Sequence, residues 1–166
     1  EGVVRLQDYA RRGEGAKGLK VLVADDNPTN REVLSRILER AGHNATLVAD
    51  GERALDALEG THFDIALIDR NMPRLSGIET VQAIRLVTGA RERLPVVMLS
   101  ADVTPEVKRE CLEAGADTFI AKPVEAFRLL EQLQDLAARP GEGAARPAPA
   151  RKAEQHALEA GHAAVN

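Results

Sequence analysis

Between residues 19 and 138, five short β-rich runs alternate with five stretches of helical periodicity, and this alternation limits the possible folds more than any other feature. The runs are Lys20 to Ala24, Asn44 to Val48, Phe63 to Ile68, Leu94 to Ser100 and Asp117 to Ala121. Three of them are nearly continuous in apolar residues, as parallel strands covered on both faces must be. Between them, apolar side chains recur at three and four residues. Val33, Leu34, Ile37, Leu38 and Ala41 mark the first helix, Ala54, Leu55 and Leu58 the second, and Ile78, Val81 and Ile84 the third, which begins near Gly77. Val107, Cys111 and Leu112 mark the fourth, and Phe127, Leu130 and Leu133 give the fifth an inward stripe. Asn27 and Pro28 open the first helix and Gly42 ends it, while Thr104 and Pro105 open the fourth and Gly115 stops it. Strands and helices in strict alternation, joined by a few residues each, predict an α/β fold: a doubly wound parallel sheet with helices on both faces.

Composition fits one such unit. A chain of 166 residues with 44% hydrophobic content can bury one ordinary core and leave tails over. Residues 1–18 carry four glycines in a charged context and read as an upstream linker. Residues 139–166 begin RPGEGAARPAPARK and read as a Pro/Ala-rich linker or tail. No window approaches the roughly 18 apolar residues of a membrane helix, and no secretory signal precedes the first strand, so a soluble, cytoplasmic chain is expected. Cys111 is the only cysteine, which excludes an internal disulfide and a thiolate zinc site and suits a small core position. Net charge is −4 and no Lys/Arg stripe appears, so nucleic acid is not expected as a direct partner. The first residue is Glu, not Met, from which we expect a piece cut from a longer protein.

Ligands of doubly wound sheets collect beyond the carboxyl ends of the strands. There the sequence puts Asp25 and Asp26 after the first strand, Asp69 after the third, Ser100 at the end of the fourth and Lys122, followed by Pro123, after the fifth. Three carboxylates on one rim repel unless a cation sits among them, and an oxygen-only set with few ligands suits Mg²⁺. A carboxylate can also be the nucleophile in phosphoryl transfer, where catalysis is chiefly positioning and charge neutralisation. Asp69 is the best candidate, because it stands alone at a central strand end and leads into the open loop Arg70-Asn71-Met72-Pro73. Lys122 supplies positive charge, and Ser100 supplies a hydroxyl for a phosphoryl oxygen.

The ordered set ADD, IDRNMPRLSG, VVMLSA and AKPV resembles the receiver domain of two-component signalling over residues 19–138. The resemblance implies a three-layer flavodoxin-like (βα)₅ sandwich with strand order 2-1-3-4-5. It implies Asp69 as phosphoacceptor and a Mg²⁺ site made by Asp26, Asp69 and the Asn71 backbone carbonyl, with Asp25 contacting the ion through water. Ser100 and Lys122 match the family's hydroxyl and lysine, and Phe119 occupies the slot of an aromatic switch whose rotamer follows the hydroxyl. Asn71 and Asp102, two residues past the acceptor and past Ser100, are expected to tune the lifetime of the acyl phosphate. The implied partners are a histidine kinase or phosphotransfer domain, and a protein docking on the face of the fourth helix, fifth strand and fifth helix. DDNPTNREVL and LSADVTPE also resemble receivers of hybrid sensor histidine kinases, including those that sense diffusible fatty-acid signals, so the parent is expected to be such a kinase.

Other readings are weaker on chemistry. A haloacid-dehalogenase-type phosphatase needs a general acid two residues after its nucleophile, where this chain has Asn71. A docking module independent of phosphorylation would not need all five rim residues. The histidines at 43, 62, 156 and 162 have no ligand spacing and read as solvated surface positions. GEGAKG at 13–18 matches a dinucleotide pattern but precedes the first strand instead of following one.

Overall fold

Apolar runs bounded by polar ends give five strands and five helices in strict alternation. The computed structural model describes residues 18–88 and 93–137. In chain order these are β1 (Lys20–Ala24), α1 (Pro28–Arg40), β2 (Asn44–Val48), α2 (Gly51–Gly60), β3 (Ile65–Asp69), α3 (Gly77–Thr88), β4 (Val96–Ser100), α4 (Pro105–Ala114), β5 (Thr118–Ala121) and α5 (Ala126–Ala137). All strands are parallel, in the order β2-β1-β3-β4-β5. The expected fold and strand order are thus both found. The residues 1–17 and 138–166, with GEGAK, His156 and His162, lie outside the described part.

Period-two alternation divides the core. Leu22, Ala24, Ala66, Ile68 and Met98 face α2, α3 and α4, packing with Ala54, Val81, Ile84, Val107 and Cys111. Val21, Val23, Leu67, Val97 and Leu99 face α1 and α5, packing with Leu34, Leu38, Leu129, Leu130 and Leu133. β3 and β4 are buried throughout, and the edge strand β2 is not. Each fully buried Leu or Ile contributes about 1.5–3 kcal/mol of transfer free energy, so the central strands anchor the molecule.

The helix ends follow local chemistry. Asn27 accepts from the backbone of Thr29 and Asn30 at the start of α1, and Thr104 accepts from Val107 at the start of α4. Gly42, at φ 86°, lets His43 N donate to Leu38 O and close α1.

Three expectations need correction. Phe127 is 52% exposed, and Leu129 takes its place in the inward stripe of α5. Leu112 is exposed on α4, because the face that packs inward carries Val107, Cys111 and Ala114. His43 is buried, not solvated: its Nδ1 accepts from Leu19 N at 3.0 Å. His62 is exposed as expected.

At the amino ends of β4 and β5, Asp117 gathers three donors. Arg85 NH2 donates to its Oδ2 at 3.0 Å, Val96 N donates to the same oxygen at 2.8 Å, and Arg93 pairs with Oδ1. Arg85 also donates to the carbonyls of Gly115 and Leu94, tying the end of α3 to both strands. Burial draws the Arg85 guanidinium below its ordinary value, Arg93 adds to that, and Asp117 opposes both. Asp117→Ala would leave these mostly buried donors without their acceptor and is expected to lower the unfolding free energy by about 1–3 kcal/mol, measured by urea denaturation.

His43 sets a pH dependence. Burial holds its imidazole below the ordinary value of about 6.5. The unfolded chain therefore takes up this proton first as pH falls, so the contribution is complete above about 6.5 and is lost below it. His43→Asn keeps an acceptor for Leu19 N but does not titrate. The stability advantage of the parent over His43→Asn is expected to shrink between about pH 7.5 and about pH 5, measured by thermal unfolding.

Candidate functional site

Register fixes which side chains reach the rim. Ala24 pairs with Ile68, Asp69 with Leu99, and Ser100 with Ala121, so the carboxyl ends of β1, β3, β4 and β5 stand level. Asp25 and Asp26 follow β1, Asp69 and Ser100 close β3 and β4, and Lys122 follows β5.

These residues converge. One carboxylate oxygen each from Asp25, Asp26 and Asp69 lie within 4.8 Å of one another. Lys122 Nζ is 3.1 Å from Asp25 Oδ2 and 3.0 Å from Asp69 Oδ1. Asp25, Asp69 and Ser100 are buried, while Asp26 is exposed. Asp69 Oδ1 also accepts from Asn71 N at 3.3 Å. Its Oδ2 has no protein donor among the described residues. The Lys122–Pro123 peptide is cis.

Electrostatics follow from burial and like charge. Burial raises the Asp69 carboxyl above its ordinary value and Asp25 adds to the rise, while Lys122 and Asn71 N oppose it. For Lys122 burial works against the charge, but hydrogen bonds to Asp69 and Asp25 outweigh it and the ammonium is held above its ordinary value. Among the described residues, Lys122 is the one cation in ion-pair range of these three carboxylates. Three acids against one ammonium leave an excess of negative charge on hard oxygen donors. That donor set fits a small divalent cation such as Mg²⁺.

Asp25 is fixed from several sides. Its Oδ1 accepts from Asn27 N at 2.9 Å, and its carbonyl accepts from Arg31 NH1 at 2.7 Å. Ser100 Oγ donates to Asp102 O at 3.0 Å and accepts from Asp102 N at 3.1 Å, so the hydroxyl turns toward the segment leading to α4. Phe119 is half-buried on β5 opposite Met98, on the face that packs against α2, α3 and α4. Asn71 lies exposed in the loop after β3.

The sequence reading missed the role of Gly77. A Cβ there would come within 2.3 Å of Asp69 O and 2.6 Å of Arg70 Cα, and Gly77 N donates to Arg70 O at 2.9 Å. Only a glycine lets α3 begin against the backbone of the acidic loop. Its signal is a glycine at the start of a helix that directly follows a loop at a strand end.

No helix of the described residues is long and apolar enough to cross a membrane. Residues 21–134 match the response regulator receiver domain family. The chain is 43% identical over 130 residues to the sensory/regulatory protein RpfC of Xanthomonas campestris pv. campestris, covering 78% of this chain and 18% of that protein. It is 39% identical over 106 residues to the sensor histidine kinase RcsC of Escherichia coli, covering 64% of this chain and 11% of that one. It thus spans less than a fifth of the length of these curated relatives. Among solved structures it resembles the chemotaxis response regulator CheY4 of Vibrio cholerae, with TM-score 0.68 and 34% identity, covering 72% of this chain and 99% of that one. It also resembles the receiver domain of the sensor histidine kinase PA1611 from Pseudomonas aeruginosa, which holds a magnesium ion in its active site cleft. That match has TM-score 0.67 and 33% identity and covers 73% of this chain and 98% of the other. From residue 21 to residue 134 the chain belongs to the response regulator receiver domain family.

Proposed function

We propose that Asp69 accepts a phosphoryl group from a phosphohistidine and that the rim of β1, β3, β4 and β5 is the site of that transfer. The observation that carries this reading is the Lys122 ammonium held at 3.1 Å and 3.0 Å between Asp25 and Asp69. The Asp69 carboxylate attacks phosphorus in line, a P–O bond forms as the P–N bond to the donor imidazole breaks, and the imidazole leaves. With Oδ1 engaged by Lys122 and Asn71 N, Oδ2 is the oxygen left for the donor. Lys122 stays beside the acceptor to pair with a phosphoryl oxygen. Ser100 supplies a hydroxyl to another once it leaves Asp102.

Asp25, Asp26, Asp69 and the Asn71 carbonyl would hold Mg²⁺. When bound, the ion neutralises the acids and the charge of the phosphoryl oxygens. Phosphorylation biases two arrangements of the segment after β4, followed by Phe119, and so alters partner binding on the face of α4, β5 and α5. The donor is a histidine kinase or phosphotransfer domain. The parent is a hybrid histidine kinase, a reading supported by the sensor kinases among the relatives and by the small share of their length that this chain spans.

Incubation with acetyl phosphate and Mg²⁺ is expected to add one phosphoryl group at Asp69, located by peptide mass spectrometry after borohydride trapping. Asp69→Asn should abolish it, and label at another residue would overturn the assignment. Lys122→Ala should lower labelling at least tenfold, the loss expected when a charge-assisted contact to the phosphoryl group is removed.

Asn71 is exposed two residues past Asp69, and its backbone N donates to the same oxygen that Lys122 holds. Exchanging Asn71 for Ala is expected to change the decay rate of the phosphorylated chain by several fold, followed by loss of the acyl phosphate over time. An unchanged rate would remove position 71 from control of hydrolysis.

A further inference from the structure

Arg70 adjoins the proposed acceptor yet takes no part in the acidic cluster. Its backbone is fully engaged, with N donating to Leu99 O at 2.8 Å and O accepting from Gly77 N at 2.9 Å. Its side chain, 23% exposed, runs to α4 and pairs NH2 with Glu110 Oε2 at 3.4 Å. Nε is buried with no hydrogen-bond partner, so one donor of the guanidinium is unspent.

Glu110 places the guanidinium against α4, the helix that the segment after β4 leads into. The Asp102 carboxyl lies below its ordinary value chiefly through the backbone and side chain of Thr104, and Arg70 adds to the effect. Asp102 Oδ1 accepts from Thr104 N at 3.0 Å, and Thr104 caps α4. The backbone of Asp102 meanwhile occupies the Ser100 hydroxyl as both donor and acceptor. Before Ser100 can turn to a phosphoryl oxygen, residues 101–104 must let it go. Arg70 thus ties the strand end that carries Asp69 to α4, and the cap of α4 in turn holds the residue that occupies Ser100.

We propose that Arg70 is a positioning residue: paired with Glu110, it holds α4, and through the Thr104 cap residues 102–104, in the arrangement that occupies the Ser100 hydroxyl, and so sets how readily the phosphorylated arrangement forms. The inference rests on Asp69 being the phosphoacceptor. When a bound state needs a minor arrangement, apparent affinity scales with the population of that arrangement. Loss of the pair enlarges that population by the modest factor expected for a partly exposed ion pair, about two- to fivefold.

The test is a calorimetric titration of the full chain with beryllofluoride in saturating Mg²⁺, a mimic of the aspartyl phosphate. Arg70→Gln and Glu110→Gln are each expected to lower the midpoint about two- to fivefold, with the double variant no lower than either single one. The swap Arg70→Glu with Glu110→Arg, and Arg70→Lys alone, are expected to return it toward the parent. A merely structural role would lower thermal stability without tightening beryllofluoride and would not be rescued by the swap. Midpoints equal to the parent, or additive effects in the double variant, would overturn the proposal while leaving the acceptor assignment intact. A parent chain that takes up no beryllofluoride at Asp69 would overturn both.

Discussion

The structure turns on one ammonium between two buried carboxylates. Asp25 and Asp69 end strands that are hydrogen-bonded neighbours, so the sheet forces them together whether or not their charges agree. Two carboxylates within 4.8 Å repel by a few kcal/mol at an effective dielectric of about 20, and burial removes the water that would screen them. Lys122 relieves this from 97 residues away in sequence from Asp25, reaching in from β5 across the end of β4. The site is therefore a property of the whole sheet. If β5 does not form in register, the two acids lose the cation that pairs with both.

The two ends of the sheet handle charge differently. At the amino ends of β4 and β5, Asp117 faces two arginines and a backbone N–H, and every oxygen has a donor. Such a satisfied network stabilises one geometry. At the opposite rim the acids outnumber their single cation, and Ser100 spends its hydroxyl on the backbone two residues ahead. An unbalanced set can exchange partners. Rigidity at one end gives the exchange at the other a fixed frame to act against.

Much of this was legible in the sequence, because a polar residue that stops an apolar run must stand at the end of a buried strand. Asp25, Asp69 and Ser100 were placed by that logic alone, and Lys122 by its position after the fifth run. The helices were less legible. At about 100° per residue, Leu129, Leu130 and Leu133 share an arc that leaves Phe127 at its margin, and Leu112 turns well away from the arc of Val107, Cys111 and Ala114. A stripe of apolar residues states that a face exists, not where its edges fall. His43 was illegible for another reason: its burial serves the Leu19 N–H, 24 residues away, and no local pattern encodes a side chain that satisfies a distant backbone donor. A glycine opening a helix after a strand-end loop hints at Gly77, but which atoms it must approach, Asp69 O and Arg70 Cα, is set by the packing of α3.

In the resting site the groups that could receive a phosphoryl oxygen are already engaged. Lys122 is spent on Asp25 and Asp69, Ser100 on Asp102, Asp102 on Thr104, and Arg70 on Glu110. A phosphoryl group arriving at Asp69 would therefore find its ligands already engaged, and its binding would be a trade of hydrogen bonds instead of a simple gain. Trades of this kind are nearly balanced, since each bond made replaces one broken. Near balance is what allows a single charged group on one side chain to move an equilibrium between two packed arrangements, because a shift of a few kcal/mol is then enough to invert the populations. Under that balance the position of α4 would be sensitive to charges outside the acidic cluster. On the proposed reading, the Arg70 guanidinium, one residue past Asp69, would weigh on the switch through Glu110 without touching the group that is transferred.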